Sequence, residues 1–372
     1  MEKGNKTYHF LDRFIGIPAV FLLGLIKSRF RKRPLTLRKI AIVNLFSIGD
    51  NVLMSGVIRD LVADYPEAEL VAFVANNNYQ IVKLIPGFAR IHKLPISNFL
   101  KTVFLIRQEK RFDLVIDFGS WPRVSALYSA FIKANYKIGF NSRGQFRHYI
   151  FDQTIDYSHH IHEIENYRNL INSFRRTNIH HLPMIGYIKS KKSDDLILEF
   201  KKYCIIHPWP GGYKSILKQW NNKRWTELIY IISQYFDTIV LTGAPSDNEK
   251  SIDFRNEIDH SRMKCKFREI SGVLSLGETA HLIKQASFVI SIDTGIAHMS
   301  AAFDKPLICI QGPANSIRWR PYSQNSISIV PDKGTFGYLS FGFEYYRAKE
   351  NCMENISVVN VYQVFKNLLA KQ

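Results

Sequence analysis

The chain alternates short apolar runs with longer stretches in which apolar residues recur at helical spacing. In the first half, five apolar runs predict buried strands, and the segments between them predict helices. Alternation at this spacing is typical of a parallel sheet with helices on both faces, so this half predicts one α/β domain. The predicted strands are Ile40–Leu45, Leu70–Ala75, Ile91–Leu94, Leu114–Asp117 and Lys137–Gly139, and the predicted helices run from Asp50 through Tyr65, over 97–110 and over 122–134.

The second half repeats this alternation and predicts a second α/β domain. Residues 140–200 have no clear period, and we interpret Ser190–Asp195 as an interdomain linker. We therefore expect an N-terminal segment over 1–37, a first domain over 38–190, a second over 191–355 and a C-terminal helix within 356–372. The predicted strands here are Tyr203–His207, Thr238–Leu241, Phe267–Ile270, Phe288–Ile292 and Leu307–Ile310, and the predicted helices include Arg224–Tyr235, Leu276–Gln285 and Val358–Leu369.

The N-terminal segment joins an apolar stretch to a basic one. Phe14–Ile26 is about half as long as the ~20 residues of a membrane-spanning helix, and Pro18 interrupts it. The basic run Lys27–Arg33 follows, and residues 1–40 carry ten Lys and Arg against two acidic residues, a balance of +8. This pattern favours a peripheral anchor on an anionic membrane leaflet. The alternative is a helix that packs on the protein's own surface.

Composition narrows the class of protein further. The net charge of +18, from 50 basic and 32 acidic residues, indicates an anionic partner: a membrane, a phosphorylated glycolipid or nucleic acid. No nucleic-acid module is recognisable, so nucleic acid is not expected. The four cysteines are scattered without a C-x-x-C pair, which argues against a disulfide framework and fits a reducing cytoplasm.

Histidines cluster in one part of the middle segment. His159, His160 and His162 stand beside Glu163, but their spacing differs from that of a helical H-E-x-x-H zinc site. We interpret them as a polar surface segment, and we expect no metal.

A glycine-containing turn follows the strand Phe288–Ile292. Asp293-Thr294-Gly295 stands where that strand ends and an apolar-periodic helix begins. Free N–H groups and the helix dipole favour an anion at such a place, and glycine allows a ligand to come close. The alternative is an ordinary helix N-cap, for which Asp and Thr are both favoured.

Two further loops also follow predicted strands. Asp50 closes the string Ser47-Ile-Gly-Asp50, where a carboxylate can accept a proton from an attacking hydroxyl or merely cap the next helix. The loop after Tyr203–His207 bears glycines together with Lys214 and Lys218. Their ammonium groups can neutralise a departing diphosphate, or stay solvated on the surface.

These segments together resemble glycosyltransferase family 9, which includes the ADP-heptose:lipopolysaccharide heptosyltransferases. The resemblance covers 38–75 and about 203–325, and it does not include 1–37. The matching strings are NLFSIGDNVLMSGVIRDLVADYPEAEL at 44–70, K-x-W at 218–220, G-x-P-x-D at 243–247, and D-T-G-x-x-H with K-P, G-P and R-W-x-P-Y behind it at 293–322.

The resemblance implies a GT-B fold, in which two Rossmann-like α/β domains face a central cleft, and an inverting transfer. By position, Asp50 would be the catalytic base and Lys218 the lysine that contacts phosphate. At Trp209-Pro210 the chain departs from heptosyltransferases, which have small hydroxylated residues there, so the donor sugar stays open. The implied donor contacts are Gly49, Lys214, Asp247 at the ribose, Leu274 beside the adenine, and Asp293, Thr294, Gly295 and His298 at the diphosphate and sugar.

Arginines of the first domain are candidates for an anionic acceptor, because guanidinium groups bind phosphates and carboxylates with paired donors. The alternative is a basic surface without a ligand. The acceptor candidates are Arg59, Trp121, Arg123, Arg143 and Arg147.

These observations predict a metal-independent enzyme without a cofactor, peripheral on the cytoplasmic face of a bacterial inner membrane. It would transfer heptose from ADP-L-glycero-β-D-manno-heptose to a lipopolysaccharide core or a related glycan. One alternative is the same fold with another nucleotide sugar. The other, from a different class, is a non-catalytic basic protein that binds membranes or nucleic acid.

Overall fold

The described part of the chain forms two compact units. A computed structural model describes residues 10, 12–26, 32–174, 180–212, 214–340, 344 and 351–371. The first unit ends at Pro183 and the second begins at Met184. The linker predicted at Ser190–Asp195 is wrong, because Ser190 is the N-cap of a helix over Lys191–Phe200 and accepts a hydrogen bond from the Ser193 N–H.

The first unit contains a six-stranded parallel sheet in the order β3-β2-β1-β4-β5-β6. The five predicted strands are confirmed, and the sixth, β6, was not predicted. β1 is buried over nearly its whole length, so elements cover both faces of the sheet centre. The strands are β1 Lys39–Asn44, β2 Glu69–Ala75, β3 Phe88–Leu94, β4 Phe112–Asp117, β5 Ala134–Asn141 and β6 Gln153–Asp156.

Helices of the first unit form two contacting groups. On one side α2 packs on α6, and on the other α5 contacts both α1 and α4. Apolar residues of α4 and α5 join alternate residues of β1, β2 and β4 in one core cluster. The helices are α1 Gly16–Ile26, α2 Ile48–Asp64, α3 Tyr79–Val82, α4 Phe99–Arg107, α5 Arg123–Phe131 and α6 Glu163–Asn172.

The middle segment is more buried than its composition predicts. The surface interpretation fails for α6, because Glu163 and Arg168 are buried where this helix packs on α2. The Asp60 carboxylate of α2 accepts bonds from the His181 N–H (2.8 Å) and faces its ring Nδ1 (2.9 Å). Arg168 donates to the His181 carbonyl at 2.9 Å. Charged residues are thus tolerated here because they have charged or backbone partners.

The apolar helix α1 packs on its own unit along one stripe. Val20 is fully buried in a cluster with Ala126, Ile150 and Phe151, as the surface-helix alternative predicts. Its opposite side exposes apolar side chains to solvent. Within the described ranges, no helix is long and apolar enough to cross a membrane. Residues 27–31 of the basic run lie outside the described residues.

The second unit repeats the architecture, with the order β12-β11-β10-β7-β8-β9 in a parallel sheet. Four predicted strands coincide with the observed ones, Phe267–Ile270 is displaced by one residue, and β12 was not predicted. The strands are β7 Tyr203–His207, β8 Thr238–Leu241, β9 Lys266–Glu269, β10 Phe288–Ile292, β11 Leu307–Ile310 and β12 Ser326–Ile329.

The core of the second unit is rich in aromatic residues. Trp220 and Trp225 are fully buried edge to face, with ring centroids 5.0 Å apart, beside Phe365 of the C-terminal helix. The indole N–H of Trp220 donates to the Ile356 carbonyl at 2.9 Å. The helices are α7 Lys191–Phe200, α8 Asn222–Ile232, α9 Asn248–Glu257, α10 Leu276–Gln285, α11 Gly295–Ala302, α12 Ser316–Trp319 and α13 Val358–Leu369.

Candidate active site

Strand order places a topological switch point in the first unit between β1 and β4. The chain leaves β1 toward β2 on one side and leaves β4 toward β5 on the other. Ligands of parallel α/β sheets bind at such a switch point, outside the carboxyl ends of the strands. Gly49 and Asp50 follow β1, and Trp121 follows β4. The structure therefore brings the predicted base and one acceptor candidate to the same edge of this sheet.

Asp50 lies in the first turn of α2 and is 4% exposed. Its Oδ2 accepts hydrogen bonds from the Ser47 N–H at 3.2 Å and from the Ser47 hydroxyl. Asp50 therefore takes part in capping α2, as the capping alternative predicts. A carboxylate can accept further bonds on its second oxygen, so capping leaves proton transfer possible.

Sequence reasoning missed two polar neighbours of Asp50. Burial raises the pKa of Tyr167, and the carboxylates of Glu163 and Asp50 raise it further. Glu163 is fully buried and accepts a hydrogen bond from the Tyr157 hydroxyl. A second carboxylate thus lies near the carboxyl end of β1, which only the packing of α6 on α2 reveals.

A buried ion pair holds the loop that carries Trp121. Asp117 accepts hydrogen bonds from the Gly119 N–H at 2.7 Å, the Ser129 hydroxyl at 2.9 Å and Arg147 Nη2 at 3.1 Å. Burial raises the pKa of Asp117, although the charge of Arg147 acts to lower it. Burial lowers the pKa of Arg147, although the charge of Asp117 acts to raise it. Arg147 therefore positions this loop.

Three of the predicted acceptor arginines have structural partners instead. Arg147 is fully buried in the pair with Asp117. Arg123 is bound to Asp12 and donates to the Gln145 carbonyl at 2.9 Å, which ties the N-terminal residues to the first unit. Arg59 lies nine residues beyond Asp50 on α2, roughly 13 Å along the helix axis, and donates to the Leu182 carbonyl. Of the five acceptor candidates, Trp121 follows β4 and the exposed Arg143 follows β5, at the carboxyl edge of the sheet.

The second unit has its own switch point, between β7 and β10. The chain leaves β7 toward β8 and leaves β10 toward β11 on the opposite side. The loops that follow these two strands hold most of the predicted donor residues. They are Lys214 and Lys218 after β7, and Asp293, Thr294, Gly295 and His298 after β10.

The turn after β10 has the geometry of an anion site. Thr294 is the N-cap of α11, and its hydroxyl lies 3.2 Å from the Ser291 hydroxyl. The first-turn N–H groups of a helix lack intrahelical partners and carry its positive dipole end. His298 lies one turn further on α11 and is 5% exposed. The N-cap and the anion-site interpretations thus describe the same geometry.

The loop after β7 carries the two lysines in different settings. Lys214 is exposed and has a left-handed backbone (φ +51°). Lys218 is half-buried at the end of the short 3₁₀ helix Ser215–Lys218, next to the anchored Trp220. Lys218 is therefore less exposed to solvent than Lys214.

The departure at Trp209 has a structural role. Its indole is buried edge to face with Phe254, with centroids 6.0 Å apart, and Lys250 Nζ lies 5.0 Å above the ring. His207, at the end of β7, is also buried, and its Nδ1 lies 3.0 Å from the Thr242 hydroxyl. Burial lowers the pKa of His207 to about 4, although the charge of Asp247 opposes this shift. This imidazole is therefore neutral at pH 7.

The loops after β8 and β9 bring Asp247 and Leu274 into neighbouring turns. The Gly272 N–H donates to the Gly243 carbonyl at 3.0 Å. Asp247 accepts from the Ala244 N–H at 2.8 Å and forms an ion pair with Lys250 at 2.7 Å. Lys250 is a cation that sequence reasoning missed, because its spacing matches no motif.

Within the ranges that the structure describes, no group of three or more His, Cys, Asp or Glu residues could hold a metal ion. His162 instead caps α6, where its Nδ1 accepts from the Ile164 N–H at 3.3 Å.

Two parallel α/β units, each with polar residues at its switch point, are typical of the GT-B fold, and solved structures share this fold. The glycosyl transferase family 9 protein from Veillonella parvula matches with a TM-score of 0.77 and 17% identity, over 91% of this chain and 99% of that one. The E. coli heptosyltransferase WaaC with ADP matches with a TM-score of 0.68 and 18% identity, over 89% and 99%. The predicted fold class is confirmed.

The chain belongs to glycosyltransferase family 9 (heptosyltransferase), whose family model matches residues 106–335. Among curated relatives, lipopolysaccharide heptosyltransferase 3 of E. coli strain K12 is 23% identical over 301 residues, which is 76% of this chain and 84% of that protein. The chain is therefore an enzyme, and the alternative of a non-catalytic basic protein is wrong.

Proposed function

We propose that this enzyme transfers heptose from ADP-L-glycero-β-D-manno-heptose to a lipopolysaccharide core or a related cell-surface glycan, with inversion at the anomeric carbon. The observation that carries the proposal is the pairing of chemistries at the two switch points: a carboxylate after β1, and a helix start with lysines after β7 and β10. The heptosyltransferase relatives, one of them solved with ADP, support the choice of sugar and nucleotide.

In the proposed mechanism Asp50 accepts the proton of the acceptor hydroxyl as its oxygen attacks the anomeric carbon. The bond from that carbon to the diphosphate oxygen breaks, and ADP leaves with the bonding electrons. Lys218 and the N–H groups at Thr294–Gly295 stabilise the negative charge that develops on the diphosphate. Charge stabilisation of this kind needs no metal ion, so we propose metal-independent transfer.

We assign the nucleoside to the loops after β8 and β9. Asp247 would accept hydrogen bonds from the ribose hydroxyls, with the Leu274 loop beside the adenine. The Asp247–Lys250 pair supports this role, because it holds the carboxylate in place. The alternative donor, another nucleotide sugar, is favoured by one observation: a buried indole at Trp209 replaces the small hydroxylated residue expected there.

The acceptor we propose is an anionic glycolipid, with Trp121 and Arg143 at the carboxyl edge as its contacts. Such a substrate lies in a membrane, so we also propose a peripheral location on the inner face of the bacterial inner membrane. The exposed apolar side of α1 and the basic run after it support this location.

Calorimetric titration with ADP, UDP, GDP and CMP, with and without EDTA, tests the donor. We expect ADP to bind most tightly and EDTA to have no effect; transfer from synthetic ADP-heptose to a core glycolipid is then assayed. A preference for another nucleotide would replace the proposed donor within the same fold. Thr294→Pro provides a matched loss-of-binding variant, because it removes a hydroxyl and an N–H at the helix start.

A further inference from the structure

A patch of apolar side chains on α4 is exposed to solvent in the first unit. We call Phe99, Leu100 and Phe104 the α4 patch. Leu100 is 79% exposed and Phe104 is 64% exposed. Phe99 is half-exposed, and the inner side of its ring meets Phe131 edge to face, with centroids 5.4 Å apart. Large apolar side chains gathered on one helix face are typical of an interaction surface.

The α4 patch belongs to the same helical layer as α1. Helix α5 contacts α4 along one side and α1 along the other. On α1, the side chains of Leu22 and Leu25 are 61% and 72% exposed. The two helices that contact α5 therefore both carry exposed apolar side chains.

The surroundings of the α4 patch are positively charged. Five of the six basic residues of 97–133 are exposed, whereas the three acidic residues of this range are engaged within the protein. Glu109 is bound to Lys39 at 2.7 Å, and Asp113 accepts from the Arg38 N–H at 2.8 Å. Asp117 is buried with Arg147. The exposed cations are Lys101, Arg107, Lys110, Arg111 and Lys133.

We propose that the α4 patch is a second membrane-docking element, which inserts Leu100 and Phe104 into an anionic phospholipid leaflet beside α1. The proposal rests on the membrane-borne acceptor of the proposed function. An apolar centre with a rim of exposed cations complements acyl chains and anionic headgroups. Two elements on one body also bind a surface far more strongly than either alone.

Flotation of the full-length protein with lipid vesicles tests this inference. We expect the wild type to float with vesicles that contain phosphatidylglycerol, and the variant Leu100→Glu/Phe104→Glu to show a bound fraction lower by about ten-fold or more. The matched control Leu198→Glu/Val359→Glu changes two residues of the second unit that are 76% and 75% exposed. It should float like the wild type.

A charge variant separates the two parts of the surface. Lys101→Gln/Lys110→Gln/Arg111→Gln should weaken flotation with anionic vesicles and leave the weaker binding to phosphatidylcholine unchanged. Equal flotation of Leu100→Glu/Phe104→Glu and the wild type would overturn the inference. The α4 patch would then be a contact surface for a protein partner.

ADP binding and heptose transfer in detergent distinguish this failure from failure of the proposed function. The Leu100→Glu/Phe104→Glu variant should keep both, which also shows that it is folded. A wild type that transfers no heptose but floats through α4 would contradict the proposed function alone. Normal transfer with flotation independent of α4 would contradict the docking inference alone.

Discussion

Asp50 combines a structural bond with a proposed chemical role, and a substitution can separate them. We expect Asp50→Asn to lower kcat by about 10²–10⁴-fold, because the amide cannot accept the proton. ADP affinity should stay unchanged, since the predicted donor residues other than Gly49 lie in the second unit. The amide oxygen can still accept from Ser47, so the fold should be retained.

Ser47→Ala is the control for the capping role of Asp50. It removes one hydrogen bond to Oδ2 but keeps the carboxylate. We expect a loss of about 1 kcal/mol in the free energy of unfolding, with a much smaller loss of kcat. Near-normal kcat in Asp50→Asn would remove Asp50 from the mechanism.

His207 predicts a specific dependence of stability on pH. Its pKa is about 4 in the folded protein against 6.5 for an ordinary histidine. Between these values the unfolded chain binds more protons, so the free energy of unfolding falls as pH decreases from 6.5 to 4. This pKa shift corresponds to about 3 kcal/mol in the free energy of unfolding, which is fully present above pH 6.5 and is lost as the pH falls to 4.

Urea unfolding of the wild type and of His207→Asn across this range measures the effect. The variant has no imidazole at this position, so its curve should be flatter between pH 6.5 and 4. Below that range both proteins should lose stability together, because Glu109 becomes protonated. Burial alone would raise the pKa of Glu109, but its hydrogen bonds with Lys39 and His92 lower it to about 2. Parallel curves above pH 4 would contradict the burial of a neutral His207.

At the scale of elements, the loop after β4 depends on close backbone packing at Gly119. A Cβ there would lie 2.7 Å from Asp117 Oδ1 and 2.9 Å from Arg147 Nη2, with the Ser125 hydroxyl closer still. We expect Gly119→Ala to cost about 1–3 kcal/mol in thermal or urea unfolding, as overpacking does.

Gly211→Ala is the matched control for that substitution, because its Cβ would meet no atom within 4 Å. It should unfold like the wild type. Adding Ser125→Ala to Gly119→Ala should recover part of the loss. A Gly119→Ala protein of wild-type stability would show that Asp117 and Arg147 do not confine this loop.

The elements missed from the sequence share a physical reason. β6 has a single apolar residue, and β12 alternates serine with isoleucine, so neither forms an apolar run. Both strands lie at the edges of their sheets and are only partly buried. The polar composition of Ser190–Asp195 favours a linker. Yet serine at an N-cap and acidic residues in a first turn are also what a helix start requires.

At the scale of the whole molecule, the boundary at Pro183–Met184 predicts which fragment folds. Fragment 184–372 contains one complete sheet and the predicted donor residues other than Gly49, so we expect it to fold and to bind ADP. Fragment 191–372 lacks the Tyr187 ring stacked on His281 (5.0 Å) and the Ile188 N–H bond to the Gly277 carbonyl (2.9 Å).

The shorter fragment should therefore be less stable, by roughly 2 kcal/mol, because it loses the Ser190 cap as well. Circular dichroism during urea unfolding compares the two fragments, and ADP titration checks the site. Equal stability would place the boundary at 190–191, as the sequence pattern predicts.

The sequence by itself determined the strands of both sheets' centres, because a run of buried apolar residues is a local signal. It also determined which residues follow those strands, and so placed Asp50 and Asp293–Gly295 at carboxyl ends. Family membership was likewise readable, since its motifs are short and contiguous.

Only the tertiary structure decided which charged groups are free for ligands. Arg123 is bound to Asp12, 111 residues earlier, and Arg147 is buried with Asp117, 30 residues earlier. The charges of Asp50 and Glu163 both act on Tyr167 because α6 packs on α2. A charge is satisfied by whatever the fold brings within about 3 Å of it, and such contacts between residues distant in sequence leave no periodic trace along the chain.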